Sequence, residues 1–167
     1  MDLTVIIVNW NVSNFLKKCL NSIYHFTQGV EFELWVVDNN SSDGSVGMVK
    51  AHFPGVQLIE NHQNLGFAQA NNLALSRCQG RYILLLNPDT ELIENSFKLM
   101  VEFMDTQQKI DAIGCKLLGS DSTLQPSCRL FPSLFIDFIE SLYLDGLFPN
   151  SSFFNRYRMA GWPHDEL

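Results

Sequence analysis

An α/β fold built on a mainly parallel sheet flanked by helices is predicted by three features of the chain. Apolar runs end repeatedly in polar residues: Val5-Ile6-Ile7-Val8 gives way to Asn9-Trp10-Asn11, Leu34-Trp35-Val36-Val37 to Asp38-Asn39-Asn40, and Tyr82-Ile83-Leu84-Leu85-Leu86 to Asn87-Pro88-Asp89. Near-continuous hydrophobic runs of this kind belong to strands buried on both faces. Segments of helical period lie between them, and the alternation of strand and helix signals is that of βαβ units. In open parallel sheets ligands bind outside the carboxyl ends of the strands, so the polar exits mark that edge as the functional one.

The first strand is followed by Ser13, a residue suited to cap a helix whose apolar stripe is Leu16, Cys19, Leu20, Ile23 and Tyr24. The second strand runs to Val37, and after the turn from Asn39 to Gly44 a short helix ends near His52. Pro54-Gly55 breaks the chain before a third strand, Val56 to Glu60. Gly66 opens a helix to about Cys78, Gly80 stops it, and Tyr82 to Leu86 is the fourth strand. Phe97, Met100, Val101 and Met104 mark the buried face of the next helix, and Ala112 to Leu118 reads as a fifth strand. Beyond a turn at Gly119-Ser120-Asp121-Ser122 the chain becomes rich in aromatics, and Leu134, Phe135, Phe138, Ile139, Leu142 and Tyr143 share one helical face.

With 167 residues and 46% hydrophobic content, the chain can bury one core, and a single domain over 1–167 is expected, with a core at 1–118 and a distinct region at 119–167. Eleven basic against eighteen acidic residues give a net charge of -7, which argues against nucleic acid as a partner. Cys19, Cys78, Cys115 and Cys128 form no CxxC pair and read as reduced, mostly buried thiols of a cytoplasmic protein. No basic n-region precedes the first strand, and no apolar stretch reaches membrane-spanning length. The terminal His164-Asp165-Glu166-Leu167 matches an ER-retention address, which is meaningless without entry to the secretory pathway and reads as coincidence.

Three segments carry candidate chemistry. Asp89, held at a strand end, suits a hard divalent cation such as magnesium or manganese, which takes one or two carboxylates and fills its other positions with phosphate oxygens and water. The plainer alternative is that Pro88-Asp89-Thr90 only turns the chain. Asp38 ends a buried strand, where a carboxylate needs a partner, and could accept the imide N–H of a uracil or thymine base; Asp43-Gly44 reads better as a turn into the next helix. Asn61 to Asn72 places a polar loop before a helix start at Gly66, where free N–H groups favour anions and glycine permits close approach; a capped helix with surface asparagines is the bland reading.

Taken in order, Val5-Ile6-Ile7-Val8-Asn9-Trp10-Asn11, Val37-Asp38-Asn39-Asn40-Ser41-Ser42-Asp43-Gly44, Asn64-Leu65-Gly66-Phe67 through Asn71-Asn72, and Leu86-Asn87-Pro88-Asp89-Thr90 closely resemble family 2 glycosyltransferases of the GT-A fold, especially the rhamnosyltransferase-like branch. The resemblance covers residues 3 to 118 well and the remainder more loosely. It implies a Rossmann-like sheet with a nucleotide-diphosphate sugar across the strand ends and manganese or magnesium bridging the phosphates. By motif position Val8 and Trp10 would line the base pocket, Asp38 with Asn40 beside it would meet the base, and Gly66 and Phe67 would lie near the donor. Asn87 would face the ribose and Asp89 would bind the metal; Asn87 stands where an acidic residue is often found. The implied reaction is inverting transfer from dTDP-rhamnose or a UDP sugar to a glycan or lipid-linked acceptor, at the inner face of a membrane. The base of such enzymes lies in the acceptor-binding half, so the chain reads as a donor-binding part that lacks it, with no catalytic residue assigned.

A nucleotide-sugar-binding or regulatory module without transfer activity is the competing expectation. A dehydrogenase is disfavoured because no glycine fingerprint follows the first strand. The apolar face from Phe131 to Tyr157 is expected to pack outside this domain, on a second copy or on a membrane surface, unless it folds back on the donor sheet.

Overall fold

The computed structural model describes residues 1–159 other than 108, 149, 150, 152, 156 and 158; residues 160–167, with the His164-to-Leu167 tetrapeptide, lie outside the described residues. The chain divides into two compact units, Met1–Ile113 and Gly114–Leu167.

The first unit contains β1 (Leu3–Asn9), α1 (Ser13–Phe26), β2 (Phe32–Asp38), α2 (Ser45–His52), β3 (Gln57–Glu60), α3 (Gly66–Leu75), β4 (Tyr82–Leu86) and α4 (Ser96–Thr106). The strands form one parallel sheet in the order β3-β2-β1-β4. Alternation along each strand splits the core into two layers. On one face Leu3, Val5, Ile7, Leu34 and Val36 pack with Leu16, Cys19, Leu20 and Ile23 of α1 and Phe97 and Val101 of α4; on the other Ile6, Trp35 and Val37 meet Ala70 and Ala74 of α3. The small alanines let α3 lie close to β1 and β2. Among the described residues of this unit α3 leaves β4 uncovered on that face, where Ile83 and Leu85 are 46% and 47% exposed.

The elements depart from expectation in three places. Ser13 is the first helical residue and not the cap: its N–H is taken from across the loop by Asp43 Oδ2 at 2.7 Å. α3 stops at Leu75, and a turn closed by Arg77 N–H on the Ala74 carbonyl completes the segment. The fifth strand expected at Ala112–Leu118 does not form. Its backbone is instead drawn into a local reversal, Gly119 N–H to Thr123 O and Gln125 N–H to Leu117 O, with a lone antiparallel bridge between Leu118 and Leu124. Gly114 within the segment, which costs entropy to extend, favours that outcome.

The second unit carries α5 (Leu134–Ser141) and α6 (Leu144–Leu147). Ser133 caps α5 by accepting the Ile136 N–H. Ile139 is buried, whereas Leu134, Phe135, Phe138, Leu142 and Tyr143 of the predicted stripe are exposed. Phe135, Phe153, Phe154 and Phe148 form a chain of ring contacts. Among the described residues no helix is long and apolar enough to cross a membrane.

Candidate functional site

Parallel pairing brings every strand exit to one edge. Asn9 lies opposite Asp38, Asp38 opposite Glu60, and Leu86, the last residue of β4, opposite Ile7. The ladder continues one step past the strands, through Asn39 N–H to Asn9 O at 2.8 Å and Asn61 N–H to Asp38 O at 2.9 Å.

Asp38 is 3% exposed, and a carboxylate so buried must be compensated. Asn9 Nδ2 donates to Oδ1 at 2.7 Å and the Ser41 backbone N–H donates to Oδ2 at 2.8 Å. The partner expected of a ligand is thus partly supplied from within, and each oxygen retains acceptor capacity for one more donor. Asn9, itself fully buried, also donates to Ser41 Oγ at 3.1 Å. Ser41 Oγ takes the Asn11 N–H at 2.9 Å, and Ser42 N–H closes the loop on Asn11 Oδ1 at 2.8 Å. Asn11 and Asn40 adopt left-handed backbone, φ 55° and 64°, a conformation asparagine tolerates better than most residues. Trp10 stands 56% exposed immediately after β1, and Val8 is partly buried against the Ile6 cluster.

Asn39, buried to 2%, links this exit to the next segment: its Nδ2 donates to Gly66 O at 3.3 Å, and its Oδ1 accepts from Asn61 Nδ2 at 2.9 Å. Gly66 is suited to its φ of 75°, and an added Cβ there would meet no protein atom within 4 Å. Asn64 Oδ1 accepts the Gly66 N–H at 2.8 Å, so one donor at the start of α3 is already occupied. Phe67 projects outward, 54% exposed. Asn71, which the bland reading would leave at the surface, is buried and folds back onto the Phe67 carbonyl.

After β4 the Asn87-to-Thr90 segment is a turn, closed by Thr90 N–H and Oγ1 on the Asn87 carbonyl at 3.3 and 2.6 Å. The Asp89 side chain is exposed and makes no hydrogen bond among the described residues. Turn and ligand readings are therefore compatible: the backbone makes the turn and leaves the carboxylate outward. The turn rests on α1 through Cys19 Sγ near Asn87 O at 3.9 Å, and Lys18 pairs with Glu91 at 3.8 Å. Burial pushes the Cys19 thiol up to about 12; a bond with Thr90 opposes this, and the nearby Asp89 and Glu91 charges add to it.

Asp43 acts as the expected turn residue and does more. Its Oδ2 takes the Ser13 N–H of α1, while Oδ1 takes the Ser45 N–H at 3.0 Å and the Ser45 hydroxyl at the start of α2. Partial burial works against its ionised form, but the combined bonds from Ser45 and Ser13 outweigh it and lower the pKa.

Asn9, Asn39, Ser41 and Asn61 form the polar frame of this edge and were not among the expected site residues. The signal for them was present, an asparagine at each strand exit. Among the described residues no group of three or more His, Cys, Asp or Glu side chains could hold a metal alone. A single unengaged carboxylate at Asp89 suits a cation whose remaining ligands are phosphate oxygens and water.

Residues 4–159 match the family model described as glycosyl transferase family 2. The minor teichoic acid biosynthesis protein GgaB of Bacillus subtilis (strain 168) is 32% identical over 125 residues, 72% of this chain and 14% of that protein. The N-acetylglucosaminyl-diphospho-decaprenol L-rhamnosyltransferase of Mycobacterium tuberculosis (strain ATCC 25618 / H37Rv) is 23% identical over 143 residues, 79% of this chain and 46% of that protein. The chain thus spans less than half the length of these curated relatives. Among solved structures, Staphylococcus aureus TarS 1-349 in complex with UDP aligns at TM-score 0.60 and 24% identity over 65% of this chain and 33% of that one. The mannosyltransferase PcManGT from Pyrobaculum calidifontis, in complex with GDP-Man and Mn2+, aligns at 0.51 and 26% over 56% and 29%.

Proposed function

The chain belongs to glycosyl transferase family 2, and from that premise we propose that residues 1–118 hold a nucleotide-diphosphate sugar across the strand exits for inverting transfer to a hydroxyl of a glycan or lipid-linked acceptor. The observation that carries this reading is the placing of a compensated, buried carboxylate (Asp38) and an outward carboxylate (Asp89) on one sheet edge beside an exposed Trp10. Such a ligand offers a base to one carboxylate and, between its ribose and its sugar, a diphosphate whose metal the other can hold.

In this reading Trp10 and Val8 wall the base, and Asp38 accepts its imide N–H while Asn40 lines the same loop. Gly66 and Phe67 border the donor, Asn87 faces the ribose, and Asp89 would hold manganese or magnesium. Bound there, the cation would neutralise charge developing on the departing diphosphate. The acceptor hydroxyl must lose its proton to a general base. No residue of this chain is assigned that role. The rhamnosyltransferase among the relatives supports dTDP-rhamnose as donor, and the UDP-bound neighbour supports a UDP sugar. We place the reaction at the cytoplasmic face of a membrane, where lipid-linked acceptors are assembled.

Isothermal titration of UDP, dTDP and GDP sugars, with and without manganese, tests the proposal. Metal-dependent binding of a pyrimidine diphosphate sugar is expected; absence of binding by every sugar nucleotide would overturn it.

A further inference from the structure

We propose that Ser41 is a specificity-determining residue that donates its hydroxyl proton to a base carbonyl, so that Asp38 and Ser41 together read a ring N–H flanked by C=O. This rests on the donor-binding reading above and goes beyond it by assigning the group that selects the base.

The inference follows from counting donors and acceptors. An amide nitrogen has two hydrogens, and Asn9 Nδ2 sends one to Asp38 Oδ1 at 2.7 Å and the other to Ser41 Oγ at 3.1 Å. Both lie inside the sheet edge, so the orientation of the amide is imposed. A hydroxyl oxygen accepts two bonds, and Ser41 Oγ accepts the second from the Asn11 N–H at 2.9 Å. With both acceptor positions filled, the group can act only as a donor, and its proton meets no acceptor among the described residues. The neighbouring Asp38 carboxylate is only an acceptor when ionised. Asp38 and Ser41, held on either side of the Asn9 amide, therefore present an acceptor and a donor side by side.

That pair complements an imide or lactam edge, as in uracil, thymine or guanine. It opposes cytosine and adenine, whose ring nitrogen would set a lone pair against the carboxylate. Ser41 is only partly buried, unlike Asn9, so its proton can reach a ligand. Sites built to hydrogen-bond a substrate group discriminate strongly against analogues lacking it.

The test compares UDP, CDP, 2-thio-UDP and 4-thio-UDP by calorimetry in the presence of manganese, on the parent and on Ser41→Ala and Ser41→Thr. Sulfur is a poor acceptor. One of the two thio substitutions should weaken binding to the parent about threefold to tenfold, the worth of one hydrogen bond, and identify which carbonyl is read. The same substitution should have no effect on Ser41→Ala, while Ser41→Thr keeps the parent pattern; if the 4-carbonyl is the one read, the preference of Ser41→Ala for UDP over CDP falls by a similar factor, and if the 2-carbonyl, which cytosine shares, it is unchanged. Coupling between ligand atom and side chain separates this contact from general loosening of the loop. Binding of UDP with neither thio analogue weakened, a measurement on the parent alone, overturns the role of Ser41 and leaves the donor site standing. Failure of the parent to bind UDP or any other sugar nucleotide overturns both.

Discussion

The Ser22 hydroxyl of α1 accepts the Leu92 backbone N–H at 2.9 Å while donating to the Cys19 carbonyl at 2.7 Å. Both residues are only 8% exposed, so this one oxygen satisfies the main chain just beyond the Asp89 turn. Ser22→Ala leaves the Leu92 N–H buried without a partner, which should cost about 1–3 kcal/mol. Urea titration should show a lower midpoint at unchanged slope. An unshifted midpoint would mean that water reaches the amide.

The two strand-end carboxylates should separate in function. Asp89→Ala is expected to abolish the metal dependence of sugar-nucleotide binding. Asp38→Ala should weaken base discrimination and destabilise the fold, because Asn9 and the Ser41 N–H lose their acceptor in a buried place. Calorimetry with and without manganese distinguishes the two; parent-like titrations from both variants would refute the site.

Gly80 approaches the start of β1 so closely that an added Cβ would lie 2.4 Å from Thr4 N and 2.6 Å from Leu3 C. Backbone cannot yield as a flexible side chain can. Gly80→Ala should destabilise by about 1–3 kcal/mol, the range for forced overpacking. A melting temperature equal to that of the parent would contradict the geometry.

Asp43 contributes stability through a lowered pKa. The ionised carboxylate is favoured in the folded chain, so its contribution is complete above the ordinary aspartate value of 3.8 and is lost as pH falls through the lower folded value. The stability difference between the parent and Asp43→Asn should therefore be constant near neutrality and shrink below that value. A difference independent of pH down to full protonation would remove the charge from the explanation. Asp43→Ala, which strips the caps of both α1 and α2, should cost about 1–2 kcal/mol at neutral pH.

Cys19 should resist alkylation in the folded protein, since burial pushes its thiol up to about 12 and only the thiolate reacts. Exposed Cys115 should react first. Counting modified thiols by mass spectrometry during partial labelling checks the order, and early modification of Cys19 would show that α1 opens readily.

Local pattern sufficed for elements marked by an unbroken apolar run or a clear apolar stripe. Tyr82 to Leu86 was readable to the residue because an apolar run between Gly80 and Asn87 has no other use. Of the helix stripe Leu16, Cys19, Leu20, Ile23 and Tyr24, the first four are fully buried, whereas Tyr24 at its edge is exposed. The predicted fifth strand failed because strand propensity is realised only against a partner, and a nearby reversal supplied a cheaper one. The frame of the site was readable as a set of polar exits but not as a network. Asp43 bonding Ser13, or Asn39 bonding Gly66, joins residues about thirty positions apart, and no periodicity encodes such pairs. A glycine's reason is equally hidden: Gly66 serves its φ and Gly80 its neighbours.

The strand order β3-β2-β1-β4 also favours one assembly sequence over others. β1 can pair with β2 after closing only the segment that contains α1, but its pairing with β4, Leu3 against Tyr82, must close most of the unit. Loop closure grows costlier with length, so the outer pairing is the late one. Asp38 and its Asn9 partner then exist before Asp89 arrives. A ligand bridging the two would fasten the edge strand β4 to the β1–β2 pair, and would slow any unfolding that separates them.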